Sequence, residues 1–374
     1  MCGRPAAGQW HGVQVALVVG RDEPRRDGVA DYVRRLAAHL PAQGIEPVVV
    51  EAGGRVGAAA RDLRALAPDL VHVQVAPSAY GFSPAIGLLP ALVAQPVVTT
   101  LHEYGWWSWP AAVPDPVWVS LERSRLYDRE AGLLTTRSAA LIATTPGHAA
   151  AARARTGVDA RVVPIGPNIE RVTADRAQTR ARHGLPERAP VVVFFGFVHP
   201  VKGVRWLLRA VAALRAGAHP SLRLVVAGGF DSLALPGQQA RDFEAEVRAD
   251  VAELGLDEAV TLTGWLAAAE VSALLQAADV AALPFTAGLT TKSGSLLAVL
   301  DHALPLVGTS GPDTSAELAA AALLGPVRES EVLGAHLDRA LTGGAPGGGR
   351  ALADAHSWDA AAKAHAEVYE AVLA

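Results

Sequence analysis

Cysteine is nearly missing from this chain of 374 residues, which has a single thiol at Cys2. One thiol makes no intrachain disulfide, no thiolate metal cage and no redox pair, and a reducing cytoplasm suits such a chain. A basic excess is missing too. Lysine and arginine total 33 against 37 acidic residues, a net charge of −4, which argues against a nucleic-acid partner. Lysine is scarce in its own right, with only Lys202, Lys292 and Lys363 beside 30 arginines. In a sequence so biased toward arginine, a retained lysine suggests a position that needs a compact ammonium.

Membrane and leader signals are weak as well. The opening MCGRPAAGQWHG lacks the apolar core of a signal peptide. Residues 71–101 carry no Asp, Glu, Lys or Arg, yet Pro77, Pro84, Pro90 and Pro96 divide them. The pieces are shorter than the ~20 residues a spanning helix needs. Buried strands and a buried helix are expected there; peripheral membrane contact stays open. GxGxxG, the P-loop signature, HExxH and GxSxG are absent from the candidate loops, and no ligand cluster suggests a metal or other cofactor.

What the sequence does have is 51% hydrophobic residues in strand-length runs that alternate with helical patterns. The runs Val13–Gly20, Pro47–Glu51, Leu70–Ala76, Pro96–His102, Ala140–Thr144 and Ala160–Pro164 are continuous rather than alternating. That is the pattern of parallel strands covered on both faces. Helical patterns lie between them at Gly28–Gln43, Arg61–Ala67, Ala85–Ala94, Val117–Leu134 and Gly147–Arg155. A polar linker with a short helix covers about 166–190, and the alternation then restarts. Strands are expected at Val191–Val198, Leu222–Ala227, Val260–Gly264, Val280–Pro284 and Pro305–Thr309, and 343–349 reads as a glycine-rich loop. Helices are expected at Gly203–Ala216, Gln238–Leu254, Glu270–Ala278, Ser293–Ala303, Glu317–Leu323 and Glu329–Leu341, with a last one at Ser357–Ala374. The fold class is therefore α/β, two tandem Rossmann-like doubly wound domains with the active site expected in the cleft between them. The expected division is 1–180, 181–354 and a closing helix at 355–374 that packs back toward the first domain.

Four loops after strands could carry chemistry. GRDEPRRDGVADY places Gly28 at a helix mouth, where backbone amides favour an anion; an ordinary capped loop would read the same. TTLHEYGWW places His102 at a strand end, followed by Glu103, Tyr104 and a tryptophan cluster at Trp106, Trp107 and Trp109. A histidine there can bond a substrate hydroxyl or phosphate, or move a proton near neutral pH, and it can equally bond a loop carbonyl. Aromatic rings in such loops stack on sugars or plug cores. FFGFVHPVKG places Lys202 just before a helix, where it can neutralise a diphosphate as a point charge. Thr290, Thr291, Lys292, Ser293, Gly294 and Ser295 feed another helix whose first amides form a ready anion site.

In this order the residues resemble the GT-B glycosyltransferases, specifically the retaining family 4 group (glycosyl transferases group 1). The resemblance runs over nearly the whole chain: DGVADYVRRLAAHL, TTLHEY, VVPIGPNI, FFGFVHPVKGVRWLLRAV, LRLVVAGG, VTLTGWLAAAEVSALLQAADVAALPF, GSLLAVLDHALPLVGT and SWDAAAKAHAEVYEAVL. It implies a retaining, metal-independent cytoplasmic transferase that uses a nucleotide-diphosphate sugar as co-substrate. The acceptor would be an unidentified small molecule or glycan. His102 would face the transferred sugar and Lys202 the diphosphate. Gly28, Gly196, His199 and the Thr290–Ser295 loop would line the donor, with Gly264, Trp265 and Leu266 along the nucleobase. Arg25, Arg26, Glu103, Tyr104 and Trp106 are acceptor-side candidates.

The chain departs from the family pattern at three positions. The family arginine after the glycine is Phe197 here, so a second cation would have to come from His199, Arg25 or Arg26. The two family glutamates fall on Thr290 and Ala298. These departures leave a pseudo-transferase that binds a nucleotide sugar as the main alternative. A nucleotide-sugar 2-epimerase and an enzyme coupling a cyclitol donor share the architecture.

Overall fold

The structure is a computed structural model and describes residues 12–108, 112–347 and 349–374. Trp109 lies outside the described residues. The chain divides into two units. One runs to Ile165 and takes in Trp358–Ala374; the other is Gly166–Ser357.

In the first unit β1 (Val13–Val19), α1 (Gly28–His39), β2 (Ile45–Glu51), α2 (Val56–Leu66) and β3 (Leu70–Val75) follow in turn. Then come β4 (Val97–Leu101), α3 (Asp115–Arg123), α4 (Leu134–Arg137), β5 (Ala140–Ala143), α5 (Pro146–Thr156) and β6 (Ala160–Val162). The strands pair in parallel in the order β2-β1-β3-β4-β5-β6. Strands β3 and β4 are buried at every position, including the polar His72, Gln74, Thr99 and Thr100, as central parallel strands covered on both faces are.

The second unit begins with α6 (Arg176–Arg182), β7 (Val191–Phe195), α7 (Val204–Ala216), β8 (Arg223–Ala227), α8 (Gln238–Glu253) and β9 (Val260–Gly264). It continues through α9 (Ala268–Ala277), β10 (Val280–Leu283), α10 (Gly294–Asp301), β11 (Leu306–Thr309), α11 (Ala316–Ala321), β12 (Leu323–Gly325), α12 (Ser330–Leu341) and α13 (Gly349–Asp354). Its sheet is also parallel, in the order β12-β11-β10-β7-β8-β9. The last helix, α14 (Trp358–Leu373), returns to the first unit.

Several boundaries move from the sequence reading, each for a local reason. The division falls at 165/166 rather than 180/181 because α6 is tied to the second unit. Arg180, 3% exposed, donates to the carbonyls of Ala277, Pro186, Glu187 and Ala189 and to Asp279 at 2.8 Å. Pro41 turns the end of the first helix into a 3-10 turn at Leu40–Gln43, and Pro84 and Pro90 hold Pro84–Ala91 in 3-10 form. The helix expected over Val117–Leu134 is split into α3 and α4, with Arg125 left-handed between them at φ 55. Strand β12 and helix α13 escape a pattern reading because they have only three and six residues.

The C-terminal helix is held in the first unit by buried polar groups. His365 donates from Nδ1 to the Ala361 carbonyl at 2.7 Å, so its Nε2 accepts from the Tyr32 hydroxyl at 3.2 Å. His72 Nδ1 meets the Tyr369 hydroxyl at 2.6 Å and Nε2 the Thr100 hydroxyl at 2.7 Å. Trp358 packs its ring 5.2 Å from that of Tyr32.

Candidate functional site

Each sheet changes winding direction at one point, and open α/β sheets bind ligands beyond the carboxyl ends of the strands there. In the second unit that point lies between β7 and β10. The chain leaves β7 at Gly196 and reaches α7 through a 3-10 turn, Pro200–Lys202, capped by His199 Nδ1, which accepts from the Val201 amide at 3.2 Å. Gly203, at φ 72, lies so close to the Pro284 carbonyl that a Cβ would collide with it. The Val201 carbonyl accepts from both the amide and the hydroxyl of Thr286, at 2.9 and 3.2 Å. These contacts lock the two loops together and place Lys202 Nζ 3.7 Å from the Phe285 ring centroid.

Across the same crevice Ser293 caps α10, its hydroxyl accepting from the Leu296 amide at 3.3 Å. Gly294 and Ser295 follow as the first helical residues, whose amides have no carbonyl behind them. Gly294 packs on Asn168, where a Cβ would come within 2.9 Å of the Asn168 Cβ, and the buried Asn168 Oδ1 has no hydrogen-bond partner among the described residues. Ser295 Oγ lies 2.7 Å from where a Cβ on Gly196 would stand. Thus Ser295 is brought against Gly196, and Lys202 stands in the loop that follows Gly196. Thr290 and Thr291 are half-buried in the preceding turn and Lys292 is exposed. Gly264 bridges to Gly228, which abuts Gly196, so the end of β9 shares this edge. Trp265 is 48% exposed there, while Leu266 turns onto the core. His199 corrects one expectation. Burial and the neighbouring Lys202 charge lower its pKa, so at neutral pH it is an uncharged cap and not a second cation. Phe197 is half-buried, and Ala298 is fully buried in the core.

In the first unit the change of direction lies between β1 and β3. Asp27 caps α1, with Oδ1 accepting from the Val29 amide at 3.1 Å. Gly28 is exposed, with open space where a side chain would be. His102 follows β4, and its Nε2 donates to Gln74 Oε1 at 2.9 Å under the edge of the Tyr32 ring, 4.6 Å away. Burial pushes its pKa down to about 3. A ring at that value is neutral near pH 7, which runs against the expectation that His102 moves a proton there, and Nδ1 is left as an acceptor.

Tyr104 turns inward, 4% exposed, and donates its hydroxyl to Asp128. It is a core residue and is lost as an acceptor contact. Arg26 is bound to Glu23 at 2.8 Å, and Arg25 is exposed on the same loop. Glu103 is half-buried, and Trp106 is 60% exposed, its ring perpendicular to that of Phe82.

The sequence reading passed over Asp27, Gln74, Asn168 and Phe285. Asp27 had a signal, since it stands directly before Gly28 at a helix start. The others are set by tertiary packing and had none. Among the described residues no group of three His, Cys, Asp or Glu side chains could hold a metal ion.

The model of the glycosyl transferases group 1 family matches residues 189–342. Those residues belong to that family. The second unit therefore carries a glycosyltransferase domain. One relative is the D-inositol 3-phosphate glycosyltransferase of Stackebrandtia nassauensis, 38% identical over 127 residues, which are 33% of this chain and 27% of the relative. Another is the 2-deoxystreptamine glucosyltransferase of Streptomyces kanamyceticus, 31% identical over 221 residues, 53% of this chain and 51% of the relative. The chain thus spans about a quarter and a half of these curated relatives. The solved structure of Anabaena HepE in complex with UDP and glucose superposes with a TM-score of 0.67 at 16% identity, over 96% of this chain and all of that one. At that identity the likeness shows the fold, which is GT-B, two Rossmann-like units in tandem. No helix among the described residues is long and apolar enough to cross a membrane.

Proposed function

We propose that this chain moves a glycosyl group, with retention of configuration, from a nucleoside-diphosphate sugar to a cyclitol acceptor. The observation that carries the donor half is the β7/β10 switch point, where Lys202 stands in the loop after β7 and Ser293 caps the open start of α10 in the loop after β10. A point charge and a helix start together suit a diphosphate. The HepE structure, with UDP bound in the same fold, supports UDP as the carrier. The two relatives named for inositol phosphate and 2-deoxystreptamine support a cyclitol as the acceptor.

As the bond from the anomeric carbon to the diphosphate breaks, Lys202 and the α10 amides take up the charge growing on the leaving oxygens. The acceptor hydroxyl enters on the same face and gives its proton to a leaving phosphate oxygen. His102, kept neutral and fixed by Gln74, accepts a hydrogen bond from a sugar hydroxyl through Nδ1 and does not act as a base. No metal enters this scheme, and the single cysteine suits a cytoplasmic setting.

A thermal-shift series with UDP-, GDP-, ADP- and TDP-sugars tests the donor, because stabilisation grows with ligand over its dissociation constant. Release of UDP in the presence of a cyclitol tests transfer. A melt shift without diphosphate release would favour the second reading, a nucleotide-sugar binder. Ala298, buried where the family carries a glutamate, speaks for that reading.

A further inference from the structure

The relatives name two cyclitols of opposite character, one a phosphate and one an amine. The first unit has its own chemistry at the β1/β3 change of direction. Asp27 is 7% exposed, and although Oδ1 caps α1, Oδ2 has no hydrogen-bond partner among the described residues. A buried carboxylate oxygen left without a donor is costly, and open space lies beside it at Gly28. Glu103 and Glu23 act on Asp27 through their charge, and Asp27 acts likewise on the Tyr80 hydroxyl in the 3-10 turn Pro77–Tyr80 that follows β3.

Three cations of this unit are already engaged, Arg26 by Glu23, Arg34 by Asp22 and Arg155 by Glu130, while Arg25 is exposed on the loop before Asp27. Two residues beyond Tyr80, Phe82 is held left-handed at φ 56 and is 42% exposed. Its ring meets Trp106 and Trp107 at 6.4 and 6.2 Å. Strands β3 and β4 are neighbours, so this aromatic group and the carboxylates stand on one edge of one sheet.

We propose that this edge binds a cyclic polyol bearing an ammonium group, with the nitrogen against Asp27 and Glu103 and the ring against Trp106 and Phe82. A phosphate at the same place would face carboxylates and find no open guanidinium in Arg26, Arg34 or Arg155. Aromatic faces suit the C–H face of a saturated ring and attract a cation besides. The inference names the acceptor class of the transferase proposed above and rests on that reading.

Calorimetry on the full chain tests it, with 2-deoxystreptamine, myo-inositol and D-inositol 3-phosphate as probes, each measured without nucleotide and with UDP. The diamine is expected to bind at least ten-fold more tightly than myo-inositol. Asp27→Asn should remove that ten-fold advantage. Trp106→Ala should weaken both ring ligands alike. Asn also caps helices, so Asp27→Asn is expected to keep its fold, which its melting curve checks. The proposal is overturned if D-inositol 3-phosphate binds as well as the diamine, if Asp27→Asn binds the diamine unchanged, or if no probe binds in either condition. The UDP melt shift is read separately. A chain that binds UDP but no amine loses only this inference, and one that binds the amine but no nucleotide loses the transferase reading.

Discussion

His102 donates from Nε2 to Gln74 Oε1 at 2.9 Å, and that one bond decides what the histidine does. The ring is held in one tautomer, and burial keeps it uncharged down to about pH 3. On the proposed function its contribution to transfer is orientation. His102→Ala is expected to lower kcat for transfer more than it weakens donor binding, and the pH–rate profiles of variant and parent should have the same shape between pH 5 and 8. Loss of a rate limb near pH 6.5 in the variant would make His102 a proton carrier after all.

Lys202 sits over Phe285 in a loop pinned to β10. Lys202→Ala is expected to slow turnover by ~100-fold or more, the scale for loss of one preorganised charge-stabilising group. Phe285→Leu should raise the KM for donor with a smaller effect on kcat, because the ammonium stays but its seat is lost. Steady-state kinetics with the donor found by thermal shift measure both.

Asp27 carries an energetic cost. Its carboxyl pKa is pushed up to about 6 in the folded chain, mainly by burial, against 3.8 unfolded. The folded state therefore binds more protons between those values, and stability falls as pH rises from about 4 to 6 and stays lower above. The ceiling is ~3 kcal/mol at about 1.36 kcal/mol per unit. Asp27→Asn should melt higher than the parent at pH 8 and lose that advantage by pH 4.

The histidines under α14 respond with the opposite sign. His365 is lowered from 6.5 to about 4 by burial, and His72 lies well below its usual value for the same reason. The unfolded chain binds protons that the folded one refuses, so their contribution is complete above pH 6.5 and is lost as pH falls toward 4. For His365 alone the loss is ~3 kcal/mol. Denaturant titrations at several pH values should show a shallower acid slope in His365→Gln than in the parent.

Arg180 is buried with five donor contacts at the start of the second unit. Arg180→Met leaves Asp279 with only the exposed Arg176 as an ionic partner. The expected cost is ~3–5 kcal/mol, read from the urea midpoint. An unchanged midpoint would mean that this join carries little of the stability.

Both sheets were legible because unbroken apolar runs such as Val15–Val19 and Val191–Phe195 read as parallel strands covered on two faces. Gly28, Lys202 and Ser293–Ser295 were legible because strand ends and helix starts advertise them. Gln74 was not, since a buried glutamine in an apolar strand reads as an interruption until the strand beside it brings His102 across. Asp27 looked like one more charge in a solvated run, and only the fold shows its second oxygen buried. Tyr104 failed in the reverse direction: its place after His102 suggested a contact with substrate, but Asp128, far along the chain, claims the hydroxyl.

Because α14 returns to the first unit, residues 166–357 form an uninterrupted insert within it. The second unit is therefore bounded by two junctions, Ile165/Gly166 and Ser357/Trp358, while the first cannot be cut out whole unless Ile165 is spliced to Trp358.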